Sequence, residues 1–183
     1  MSYDVVIIHG SFGDPFGNWQ PWLFQEAAAR SKRVLCPHFP GPQEQNLESW
    51  GSVLDAYSGM FGENTTIFAH SLGPAFVLDY LVSRTIKIKR LVAVAPFYGL
   101  IGIEEFDNVN KTFFLEDIDF STVPQLCRDR FAYFSDNDPY VPRKMSESFC
   151  ANISAGYKVI PNGGHLNSSA GYTEFPHLLE HLE

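Results

Sequence analysis

Six short, nearly continuous apolar runs alternate with helix-like segments along the 183-residue chain, and this alternation most restricts the fold. Strands buried on both faces read as continuous rather than alternating hydrophobic runs, and they belong to parallel sheets covered by crossover helices. The runs predict strands over Val5–Ile8, Arg33–Cys36, Thr65–Ala69, Leu91–Ala95, Phe131–Phe134 and Tyr157–Ile160. Helices are expected over Trp19–Arg30, over Leu47–Phe61 with Asn46 as its cap, and over Pro74–Val82. A further helix over Val141–Ile153 would open on Pro142, and a last one would run through Leu178, Leu179 and Leu182. With no repeat, linker or low-complexity tract, the pattern predicts one three-layer α/β domain over residues 1–183 around a mostly parallel sheet.

The chemistry-bearing motif stands where the third run ends. Ala69-His70-Ser71-Leu72-Gly73 joins a strand directly to a helix and is close to G-x-S-x-G, the strained turn that lifts a nucleophilic serine above a sheet. Small residues on either side of Ser71 answer the crowding of that turn. Alanine replaces the first glycine, and its single methyl is expected to fit. The competing reading is a serine in an ordinary strand–helix turn.

Three further segments follow strand ends. His9-Gly10-Ser11-Phe12-Gly13 suits an oxyanion loop, in which glycine lets backbone N–H groups approach the substrate. The expected donors are the Leu72 N–H and, from this loop, the Ser11 N–H, with Phe12 as the alternative. A phosphate-cradling loop is the competing reading, but neither nucleotide-binding glycine pattern is present. Ser135-Asp136-Asn137-Asp138-Pro139 places two carboxylates at a strand's carboxyl end, the ligand-binding edge of such sheets. Turn chemistry also favours these residues there. Pro161-Asn162-Gly163-Gly164-His165 puts a histidine on a glycine-bracketed loop. Serine, aspartate and histidine thus occur in the chain order of an elbow hydrolase.

On these motifs the chain resembles the α/β-hydrolase superfamily. More narrowly, it is similar to the small bacterial and animal serine hydrolases grouped with retinoblastoma-binding protein 9. The resemblance runs from Val5–Gly10 to the final segment. It is carried by His70-Ser71-Leu72-Gly73, Asp138-Pro139 with Val141-Pro142, and Gly164-His165. It implies a triad of Ser71, Asp138 and His165, with Asp138 preferred over Asp136. It also implies a compact fold with minimal or no cap and no cofactor. The animal relative's L-x-C-x-E partner motif has no counterpart around Cys36 or Cys127, so that partner is not carried over.

These readings predict hydrolysis of a small carboxylic ester or amide through an acyl-enzyme on Ser71, with acyl transfer using the same residues. A binding module on a hydrolase fold is the competing class. Only about 35 residues separate the fourth and fifth strands, room for one or two short helices rather than a large cap. Phe97, Tyr98, Leu100 and Ile101 fall at that strand's end and, with Phe12, are candidates to line an acyl pocket for short rather than long chains.

Charge and cysteine usage exclude other classes. A net charge of −8 opposes binding to a phosphate backbone, so no nucleic-acid partner is expected. Three scattered cysteines form neither a disulfide framework nor a C-x-x-C pair. No segment reads as a signal peptide or membrane span, so a cytoplasmic location is expected. His177-Leu178-Leu179-Glu180-His181 matches the H-x-x-E-H zinc pattern. It lacks a downstream third ligand, and its leucines are needed for packing, so no metal site is expected.

Overall fold

The computed structural model describes residues 2–114 and 118–183. Six strands form one sheet in the order β2-β1-β3-β4-β5-β6, every neighbouring pair parallel. They are β1 (Val5–Ile8), β2 (Val34–Leu35), β3 (Thr66–His70), β4 (Ile88–Val94), β5 (Cys127–Ser135) and β6 (Gly156–Ile160). All six predicted strands are present. The edge strand β2 is shorter than expected because it pairs only with β1, over two residues.

Helices cover both faces, and the side-chain period of two sorts the strand residues between them. On one face Val5, Ile7, Phe68, Val92, Val94 and Tyr133 pack with Trp19, Leu23 and Ala27 of α1 (Gln20–Ala29) and its flank, and with Leu178 and Leu182. On the other, Val6, Ile8, Ile67, Ala69, Leu91, Ala93 and Phe134 meet four helices. These are α2 (Leu47–Asp55), α3 (Gly73–Arg84), α5 (Val123–Leu126) and α6 (Arg143–Asn152); α4 (Glu104–Asn110) lies in the β4–β5 connection. Chain direction across the sheet reverses between β1 and β3, and such switch points open a crevice at the strands' carboxyl ends.

Three helix expectations are corrected. The segment expected over Leu47–Phe61 leaves the helix after Asp55, passing through turns to Gly59 at φ 78°. Its start holds: Asn46 Oδ1 accepts the Ser49 N–H at 2.8 Å. The helix expected from Val141 starts at Arg143, with Pro142 capping it. The C-terminal segment is a 3-10 helix over Pro176–His181 rather than an α-helix. At three residues per turn, His177 and His181 no longer share a face as i and i+4 do in an α-helix. His181 Nε2 lies 2.9 Å from Tyr133 Oη, tying this segment to β5.

Candidate active site

Ser71, at the carboxyl end of β3, has φ 59°. For a non-glycine residue this left-handed conformation is costly and persists only where surroundings enforce it. Two enforcing contacts are visible: the Ser71 N–H donates to Val94 O at 2.8 Å, and α3 begins two residues later. The sequence pattern ties the flanking small residues to crowding around the serine. The structure locates the obstacle for Gly73 elsewhere, just after β1: an added Cβ would stand 2.9 Å from His9 O. At Gly10 the obstacle is the serine itself, since a Cβ there would lie 2.7 Å from Ser71 Cβ. Ala69 is accommodated in the core, as expected.

The loops after β5 and β6 lie side by side because those strands are neighbours. They are joined residue by residue. Gly163 N–H donates to Ser135 Oγ at 3.0 Å, Asn162 N–H to Asp136 Oδ1 at 2.8 Å, and Gly164 N–H to Asn137 Oδ1 at 2.8 Å. The fourth link is between side chains, His165 Nδ1 to Asp138 Oδ2 at 2.7 Å. Asp138 Oδ1 meanwhile accepts the N–H groups of Tyr140 and Val141 at 2.9 and 3.1 Å. Asp136 therefore serves the loop, and Asp138 is the carboxylate that reaches the imidazole.

His165 Nε2 lies 3.0 Å from Ser71 Oγ. A carboxylate only accepts, so the proton on His165 sits on Nδ1 and the Nε2 lone pair faces the serine hydroxyl. The Asp138 and His165 side chains are 3% and 10% exposed, which shields their interaction from water. Behind them His70 packs 4.9 Å from the His165 ring, centroid to centroid, and donates its Nε2–H to His165 O at 3.0 Å. Burial pushes the His70 imidazole down to about 3, so it is neutral at pH 7 and adds no charge behind the site.

The β1 loop is held by His9, whose Nδ1–H donates to Gly10 O at 2.8 Å while its Nε2 accepts the Phe39 N–H at 3.0 Å. These two bonds assign one neutral tautomer, and burial lowers the affinity of His9 for a second proton. The Phe12 N–H is taken by Gln45 Oε1 at 2.9 Å and the Gly13 N–H by Gly10 O at 3.2 Å. The Ser11 and Leu72 N–H groups meet no acceptor among the described residues.

A cavity of about 410 Å³ opens on Ser71 and His165. Its walls are Ser11, Phe12, Phe97, Ile101, Ile103, Glu105, Phe106, Tyr140, Val141 and Asn167. Phe12 and Phe97 are thus where the sequence places them. Tyr98 is not: it turns away and packs edge-on against Phe114 and Phe120. Leu100 is exposed outside the cavity. Sequence reasoning missed Ile103, Glu105, Phe106 and Tyr140. The first three sit at the start of α4, whose path across the pocket no local pattern encodes; Tyr140 was legible only as the variable position between Asp138-Pro139 and Val141.

A parallel doubly covered sheet with a serine elbow after its third strand, facing a histidine and an aspartate from the last two strand ends, defines an α/β-hydrolase. The chain belongs to the serine hydrolase family, whose model matches residues 5–183. It is 27% identical over 179 residues to YdeN of Bacillus subtilis (strain 168), an alignment covering 96% of this chain and 92% of that one. The solved structure of the ydeN gene product from B. subtilis superposes with a TM-score of 0.88 at 25% identity, over 97% of this chain and 95% of that one. Alpha/beta hydrolase domain-containing protein 10 from mouse shares the fold, with a TM-score of 0.71 at 15% identity over 97% and 86% of the two chains. No helix among the described residues is long and apolar enough to cross a membrane.

Proposed function

We propose that this chain hydrolyses small carboxylic esters or amides through an acyl-enzyme on Ser71. The observation that carries the reading is the hydrogen-bonded series from Ser71 Oγ through His165 to Asp138, at 3.0 and 2.7 Å. As Ser71 Oγ attacks the acyl carbonyl carbon, His165 Nε2 takes the hydroxyl proton and Asp138 stabilises the imidazolium. The carbonyl π-electrons move onto oxygen, and that oxyanion is held by the Ser11 and Leu72 N–H groups. When the tetrahedral adduct collapses, the bond to the leaving group breaks and His165 returns its proton to that group. Water, deprotonated by His165, then releases the acid and regenerates Ser71.

Asp138 is the orienting acid in this reading, and Ser11 rather than Phe12 supplies the second oxyanion donor, because Gln45 occupies the Phe12 amide. The aromatic and aliphatic walls suit an apolar acyl group. A volume of about 410 Å³ lies at the small end of ligand pockets, which favours short or singly branched chains over long lipids.

The test is labelling with a fluorophosphonate beside the Ser71→Ala variant, with the modified peptide mapped by mass spectrometry. Stoichiometric modification of Ser71, absent in the variant, is expected. Folded wild-type protein that stays unlabelled would overturn the proposal and leave a hydrolase fold working as a binding module.

A further inference from the structure

Beneath the β1 loop lies a cluster of buried polar side chains that the triad chemistry does not use. Gln45, from the connection between β2 and α2, is 4% exposed, and Asn110, the last residue of α4, is fully buried. Amides are costly in a core unless their donors and acceptors are matched. Here the matching runs in one direction. The Phe12 N–H can only donate, so the Gln45 atom facing it is the oxygen. Gln45 Nε2 then donates to Ser11 Oγ at 2.5 Å and to Asn110 Oδ1 at 2.6 Å. Ser11 Oγ donates its own proton to Asn110 Oδ1 at 3.1 Å. Asn110 Nδ2 donates to Phe106 O at 2.8 Å.

Donor direction thus passes unbroken from the backbone of the β1 loop to the backbone of α4. Phe12 itself is held at φ 56°, which a bulky residue adopts only under constraint. The Gln45 acceptor supplies one such constraint. In the same stroke it takes up the Phe12 amide, while the neighbouring Ser11 N–H meets no acceptor among the described residues.

We infer that Gln45 and Asn110 are positioning residues for the oxyanion hole, holding Ser11 in register with Ser71 and coupling it to the pocket wall on α4. The inference rests on the ester- or amide-hydrolase reading above. Neither residue touches the reacting atoms; both act through Ser11. Their contribution belongs to the transition state, where the oxyanion forms, rather than to substrate binding.

The test uses the full-length protein with two near-isosteric variants, Gln45→Met and Asn110→Leu, each kept well below its own unfolding midpoint. The readouts are the second-order rate of fluorophosphonate labelling at Ser71, whose phosphoryl oxygen takes the oxyanion position, and kcat and KM on a short-chain aryl ester. Displacing a positioned donor by a fraction of an ångström to 1 Å is expected to lower the labelling rate and kcat of Gln45→Met about 10- to 100-fold. KM should change less than about threefold, because the lost interaction is specific to the transition state. The acid limb of the pH–rate profile stays in place, since His165 and Asp138 are untouched. Asn110→Leu, which keeps the Gln45 bond to Phe12, is expected to fall less, by about 10-fold. Variants that are less heat-stable but label and turn over at the wild-type rate would overturn the inference, leaving the cluster a loop staple. A wild-type protein that does not label at Ser71 would overturn the hydrolase reading itself, and this inference with it.

Discussion

Asp138 meets the His165 ring with one carboxylate oxygen, Oδ2, at 2.7 Å, while its other oxygen is held by the N–H groups of Tyr140 and Val141. The carboxylate is therefore fixed before the imidazole reaches it, and the tautomer of His165 follows from that fixed acceptor. Asp136, two residues earlier, spends its oxygen on the Asn162 backbone.

Asp138→Asn is expected to lower kcat about 10³- to 10⁴-fold, because a donor in place of Oδ2 would favour the wrong imidazole tautomer. Asp136→Asn should leave kcat within about threefold, as its carboxylate is exposed and structural. Steady-state kinetics on one ester decides both; equal losses in the two variants would reverse the assignment.

Ser135→Ala should destabilise the fold by about 1–3 kcal/mol in urea unfolding, because it deprives the buried Gly163 N–H of its partner. Ser135 is 1% exposed, and its Oγ accepts the Gly163 and Asn137 N–H groups while donating to Asn137 Oδ1. The loop carrying His165 loses one of its links to β5, so kcat falls along with stability.

His70 makes stability depend on acid. Burial holds its folded-state pKa at about 3 against an ordinary value of 6.5. Between those values the unfolded chain binds a proton that the folded chain refuses. The stabilisation is complete above pH 6.5 and is lost as pH falls toward 3, at up to about 1.4 kcal/mol per pH unit. His70→Gln keeps a donor for His165 O but no longer titrates. Its unfolding free energy should fall less steeply than wild type between about pH 6 and 4; identical slopes would show that His70 is not the group responsible.

Among the described residues lining the cavity, Glu105 and His165 are the ionisable side chains besides the Tyr140 phenol, and none is Lys or Arg. A carboxylate on the acyl chain would meet repulsion without a compensating partner. The kcat/KM for a succinate half-ester should be about 10-fold below that for the butyrate ester, with the gap narrowing in high salt and in Glu105→Gln. An equal or greater rate on the succinate ester would refute the assignment of Glu105 to the pocket wall.

The information legible along the chain is local. The apolar runs specify the strands, and their continuity requires both sheet faces to be covered, because period and hydrophobicity act over a few residues. The elbow at Ser71, the glycine at position 10 and the order of serine, aspartate and histidine could be read for the same reason: each sits at a strand's end. Tertiary structure decided what depends on neighbours distant in the chain. It gave Asp138 and Asp136 their different partners by the path of the β6 loop, and it separated Phe97 from Tyr98 by which side of the β4 exit faces the cavity. Gln45 and Asn110, 65 residues apart, acquire their roles only when α4 folds back over the β1 loop. A buried amide has no sequence signature, since its place is set by the partners that satisfy its hydrogen bonds, and those are assembled by the fold.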